Sequence, residues 1–163
     1  MAKIFICGLV FLLLTACSPQ SSEHTANTDA VSANKTSTFE VTDVWARATF
    51  AMAQTGAVYL TLNNQTETDV SLLSASVPSD LADEVQLHDM AMNDGMMQMQ
   101  EMVDGVNVDV GETLEFRPGG KHIMLLGLKK PLNDGDSFEL TLRFKNRDEL
   151  TLLVNVKDAR NLN

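Results

Sequence analysis

From Phe39 to Val156, apolar residues recur at every second position in short runs, and no helical period is sustained. The runs are Phe39 to Trp45, Ala57 to Leu62, Val70 to Ala75, Val85 to His88, Met96 to Met102, Thr113 to Phe116, His122 to Leu128, Phe138 to Phe144 and Leu150 to Val156. Turn chemistry separates them at Pro78-Ser79-Asp80, Asn93-Asp94-Gly95, Pro118-Gly119-Gly120, Asn133-Asp134-Gly135 and Asn146-Arg147-Asp148. About nine short antiparallel strands at this spacing predict an all-β fold, a Greek-key β-sandwich or barrel. A helical turn is expected at most over Asp80 to Asp83.

The chain ahead of these runs has a different character. Lys3 is followed by an almost wholly apolar stretch from Ile4 to Leu14, the pattern of a signal-peptide core and too short for a membrane span. Leu14-Thr15-Ala16-Cys17 resembles the bacterial lipobox, in which cleavage leaves the cysteine as a diacylated first residue. Ser18 after the cysteine favours, in Gram-negative lipoproteins, sorting to the outer membrane. Residues 18–37 are mostly small and polar, as in a flexible tether. The expected organisation is therefore a signal peptide (1–16), a lipidated cysteine and tether (17–37) and one domain (38–163), exported to the periplasmic side. About 125 residues build one core and not two. Cleavage before Cys17 also removes Cys7, which leaves no disulfide framework, no redox CxxC and no thiolate for a blue-copper centre. A formal charge of −10 makes the chain a poor nucleic-acid partner. Walker, dinucleotide-glycine and HExxH motifs are absent from the sequence.

The candidate chemistry sits in two places. Six of the eight methionines after Met1 lie between Met90 and Met102, two residues beyond His88, and a tight pair follows at His122-Ile123-Met124. Thioethers are soft donors and imidazole is borderline, a combination that suits copper(I) better than a hard cation. Strand parity puts His88 opposite Leu87, and His122 with Met124 opposite Ile123 and Leu125. If the aliphatic residues face the core, the donors face outward and stay exposed. Asp94-Gly95 reads as a two-residue hairpin turn that pairs Met92 with Met97 and Met90 with Met99. His88, Met90 and Met92 then share a face with Met97 and Met99, and His88 and Met99 become diagonal neighbours. Met96 and Met102 have the other parity and are assigned to packing or rim. Met90, Met92 and Met97 are left between shielding a metal, serving as auxiliary or first-contact ligands, and covering surface, because methionine is also a common core filler. Trp45 and Tyr59 are expected in the core.

These residues resemble a specific family, the PCuAC-type periplasmic copper chaperones, over most of the 38–163 segment. The family motif is a histidine, ten residues, a methionine, twenty-one residues, then His-x-Met. Here His88 is followed by ten residues and Met99, and His122-Ile123-Met124 closes the pattern. Trp45-Ala46-Arg47-Ala48, the run Gly56 to Leu62, Pro118-Gly119-Gly120 and Met124 to Leu128 are similar to family segments as well. Three departures stand out. Twenty-two residues separate Met99 from His122, and the extra one is expected in the Val103 to Gly111 loop. Glu101-Met102 stands where members often have Arg-Pro. Residues 157–163 lack the His- and Met-rich tail that helps some relatives bind copper(II).

The resemblance implies a cupredoxin-like β-sandwich, monomeric, holding one Cu(I) through His88, Met99, His122 and Met124. It also implies delivery of that copper to a cuproenzyme, such as a cytochrome oxidase subunit, with another copper chaperone as a further partner. The alternatives are a copper-sequestering resistance lipoprotein and a metal-free structural sandwich. An enzyme is disfavoured by the lack of a third histidine or a legible Ser-His-Asp or Cys-His arrangement.

Overall fold

The computed structural model describes residues 38–93, 95–158 and 160, with Asn93 described in its backbone alone. The expected leader, Cys17 and the expected tether, like Asp94, lie outside the described residues. Ten strands form: β1 (Phe39–Arg47), β2 (Thr55–Asn64), β3 (Val70–Ser76), β4 (Glu84–Asn93), β5 (Met96–Glu101), β6 (Val106–Val108), β7 (Thr113–Phe116), β8 (His122–Leu126), β9 (Ser137–Phe144) and β10 (Leu150–Lys157). No α-helix occurs among the described residues. Over residues 78–83 the chain makes one turn, in which Leu81 N–H donates to the Pro78 carbonyl at 2.9 Å.

The all-β expectation of about nine strands holds, with two refinements. The described residues form ten strands, the additional one being β6, three residues long and too short for alternation to show. The pairing is not wholly antiparallel either, since β1 and β10 run parallel, with Trp45 beside Asn155 and Ala46 beside Val156. Hairpin signals are local and carry no information about a pairing between the first and last strands. The hydrogen-bonded order is β5-β4-β8-β2-β1-β10-β9-β3-β6, with β7 attached to β2. The sheet curls until β3 contacts β4, and side chains from both arms share one core.

The register explains why one face is dry. Leu87 pairs with Ile123, Ile123 with Val58, Val58 with Ala46 and Ala46 with Val156, so one buried apolar row crosses five strands. Each large side chain in this set contributes roughly 1.5–3 kcal/mol by leaving water. The neighbouring positions fall on the opposite face, which is where the histidines stand.

A bulge changes the face assignment of β1. Thr42 pairs with Thr61 but Trp45 pairs with Tyr59, so Asp43 and Val44 together oppose a single β2 position. Asp43 takes φ 52°, a left-handed conformation that Asp tolerates better than most residues. The extra residue reverses parity, so that Val41 packs on the core before the bulge and Ala46 after it. Trp45 is thereby turned away from the core cluster and packs against Tyr59, ring centroids 4.6 Å apart and planes tilted by 41°.

Buried Asn64 ties down the loop that follows β6. Its Nδ2 donates to the carbonyls of Thr68, Val108 and Asp109 (2.9, 2.9 and 3.2 Å), and its Oδ1 accepts from Thr66 N–H and Oγ1–H (3.1 and 2.7 Å). A buried amide so fully paired offsets its desolvation and fixes where the chain re-enters the sheet ahead of β7 and β8.

Candidate metal centre

β4 and β8 bring the two histidines together. His88 and His122 are directly opposite in the antiparallel register, with ring centroids 5.6 Å apart and ring planes at 76°. Met124 sits one step along β8, between Gln86 on β4 and Ala57 on β2. The β4–β5 hairpin has the register that a turn at positions 94 and 95 requires: Met92 pairs with Met97, Met90 with Met99 and His88 with Glu101. Gly95 supplies the positive φ of 78° that this turn needs. Lys121 Nζ donates to Asp89 Oδ2 at 2.7 Å, and this half-buried ion pair pins β8 to β4 beside the histidines.

A concavity of about 350 Å³ lies on this face; His122, Met124, Met99, Met90, Tyr59 and Arg47 are on its wall, while His88 adjoins His122 without lining it. Met99 and His122 meet there although one residue more than the family spacing separates them. Met97 and Met92 are not on that wall. Met102 packs against the core and Met96 is exposed, as their parity led us to expect. Tyr59 is buried, but on the concavity side of β2 and outside the main core cluster. Its hydroxyl pKa is raised by burial, with Arg47 pulling the other way, so the group is a neutral phenol.

The donors are not uniformly exposed, which corrects the expectation from parity. Met99 is 48% exposed, whereas His88 and His122 are only 9% and 6% exposed. Parity states which way a side chain points, not what closes over it. Tyr59, between core residues Val58 and Leu60 on β2 and so on the opposite face, is buried there and lines the concavity with His122; assigning it to the core missed this.

Hydrogen bonds set the tautomer of each ring. Gln86 donates its amide Nε2–H to Glu84 Oε1 at 2.9 Å, which leaves Gln86 Oε1 to accept from His88 Nε2–H at 2.8 Å. The lone pair of His88 is therefore on Nδ1, and that atom is buried without a hydrogen-bond partner. His122 donates Nδ1–H to the Gly120 carbonyl at 2.9 Å, which puts its lone pair on Nε2. An outer hydrogen bond that holds one ring nitrogen and leaves the other as a free donor is the usual arrangement around a ligating histidine. His88, His122, Met99 and Met124 offer two imidazole and two thioether donors on this face, and the free ring nitrogen of His88 is buried without a partner.

The His88 pKa is lowered, chiefly by burial and then by the charge of His122, with Glu101 acting the other way. The unfolded chain takes up this proton near the ordinary value of 6.5, while the folded domain resists it. Acidification through 6.5 toward the lowered value should therefore cost the metal-free domain stability, and the loss ends once both forms are protonated. Urea midpoints of the wild type and His88→Gln at pH 7.5 and 5.5 test this. Gln retains a donor for Gln86 but does not titrate, so its pH-dependent loss should be smaller. Equal losses would remove His88 as the cause.

The fold and the site define a cupredoxin-like β domain with a soft-donor cluster near one sheet edge. The family model described as "Putative lipoprotein LpqE-like" matches residues 39–156, and the chain belongs to that family. "Putative lipoprotein Lxx21020" of Leifsonia xyli subsp. xyli is 41% identical over 85 residues, 52% of this chain and 51% of that one, so the match spans about half of that relative. RP573 of Rickettsia prowazekii is 28% identical over 94% of this chain and 88% of its own. Among solved structures, the chain is similar to the copper-bound PCuAC domain from PmoF2 (TM-score 0.60, 21% identity, 74% of this chain and 92% of that one). It is also similar to CuI-DR1885 from Deinococcus radiodurans (TM-score 0.57, 29% identity, 71% and 76%). The PCuAC resemblance drawn from the histidine and methionine spacing is borne out by these neighbours.

Proposed function

We propose that this chain is a copper chaperone that binds one Cu(I) through His88 Nδ1, His122 Nε2, and the thioethers of Met99 and Met124. The observation that carries this reading is the buried, unpartnered Nδ1 of His88, whose ring lies 5.6 Å from that of His122. A buried polar atom left unpaired is costly, and a cation is one way to satisfy it. The copper-bound neighbours support the choice of metal, and neutral soft donors favour the cuprous state.

The cargo would leave by ligand exchange with no change of oxidation state. Met99, the exposed donor, is displaced first by a partner's thiolate or imidazole, and the recessed histidines release last. A cuproenzyme such as a cytochrome oxidase subunit is the recipient we favour. Cys17 would carry the lipid that holds the domain on the exported side, in keeping with the lipoprotein description of the family.

A ligand that binds only the folded state raises its melting temperature. One equivalent of Cu(I), or of Ag(I) as a redox-silent substitute, should raise Tm by several degrees. Zn(II) should do much less, because hard or borderline cations gain little from thioethers. An unchanged Tm with both soft ions would leave the metal-free structural sandwich as the better reading.

A further inference from the structure

The methionines beyond the inner cluster form a ladder. β5 is the edge strand of the sheet and all of its residues are exposed. Counting inward from the hairpin tip, one face of β4–β5 carries Met92 with Met97, then Met90 with Met99, then His88 with Glu101. Because the turn is two residues long, the pair closing it is Asn93 with Met96, and the methionine pairs fall at non-hydrogen-bonded positions. There the opposed Cα atoms are only about 4.5 Å apart. Met92 and Met97 are 66% and 52% exposed, and neither belongs to the core or to the concavity. Packing does not account for two large apolar side chains placed on a solvent-facing hairpin tip.

We infer that Met92 and Met97, with Met90 as their inner diagonal neighbour, form a second, outer site for a soft univalent cation, Cu(I) or Ag(I). Three thioethers provide low-coordinate, neutral donation without any titrating group. The outer site is one or two rungs from the inner one, roughly 7–14 Å along the strand. At that separation two single positive charges at a wet surface repel only weakly. Met90 and Met99, which line the inner concavity, connect the two positions, so an ion captured at the tip can move inward by thioether exchange.

Silver(I) titrated into the full chain, followed by native mass spectrometry and by the methionine methyl resonances, tests the outer site. The wild type should take up two equivalents, and the second should shift the Met92 and Met97 methyls. Met92→Leu with Met97→Leu should lose the second equivalent and keep the first. Met96→Leu, equally exposed but on the other face, should keep both. A wild type that stops at one equivalent with those two methyls unmoved overturns the proposal. So does a second equivalent that survives Met92→Leu with Met97→Leu, or one that Met96→Leu also removes. The inner reading fails separately: Met92→Leu with Met97→Leu would then bind no silver, while the wild type still bound one ion that shifts the tip methyls.

Discussion

Replacing His122 by Asn together with Met124 by Leu should lower Cu(I) affinity by more than about a hundredfold while leaving the domain folded. Losing an outer-shell partner of a metal ligand costs about 10- to 100-fold, and this pair removes two of the four proposed ligands. The substitutions suit the local structure. β8 lies between β4 and β2, and His122 is buried, so a simple truncation would open a cavity in a strand paired on both sides. Asn retains a donor near the position of Nδ1, which preserves the hydrogen bond to the Gly120 carbonyl. Leu retains the bulk of Met124 without its sulfur. Competition against a Cu(I) chelator, with the urea midpoint of the metal-free variant as control, measures both halves. An affinity within a few-fold of wild type in a folded variant would mean the assigned site is wrong.

Gly105→Ala should be the most destabilising glycine substitution in the segment between the methionine hairpin and β8. Its φ is +78°, and a Cβ there would run into the Leu72 carbonyl oxygen and lie 2.9 Å from Leu73 Cα. Both obstacles are backbone atoms of β3 and cannot rotate away. The left-handed conformation alone costs a non-glycine residue about 1–2 kcal/mol, and forcing apart packed strands typically adds about 1–3 kcal/mol. Gly111 is the internal control, because it has the same φ of +78° but nothing within 4 Å of its would-be Cβ. Gly111→Ala should show the conformational cost alone. Denaturant unfolding of the two variants therefore separates strain from collision. Equal losses would show that β3 yields at no cost.

Much of the geometry of the candidate site was legible because its rules are short-range. The register of Met90 with Met99 followed from one Asp-Gly dipeptide. The common orientation of His122 and Met124 followed from the aliphatic residues between and beyond them. Three features were not legible, each for a physical reason. The bulge at Asp43 and Val44 reverses the face of Trp45, and only the tolerance of Asp for positive φ hinted at it. The burial of the histidines depends on packing over their face, which alternation does not encode. Their tautomers depend on Gln86, which shares parity with His88 two residues away, and on the Gly120 carbonyl. The side-chain relay from Glu84 through Gln86 to His88 could have been suspected from i, i+2 spacing on one strand face; a backbone acceptor leaves no such trace.

The parallel pairing of β1 with β10 has a consequence for how the domain comes into being. Trp45 and Asn155 are neighbours in space but more than a hundred residues apart in the chain. Val156, which completes the buried row, and buried Val154 arrive with the last strand. Until then β1 has an open edge and the core has a gap. Closing so long a loop is entropically costly, and a topology dominated by distant contacts folds slowly. A chain built this way reaches its final form only after nearly all of it has been delivered. The threading of an incomplete, still pliable polypeptide across a membrane is compatible with that order of events.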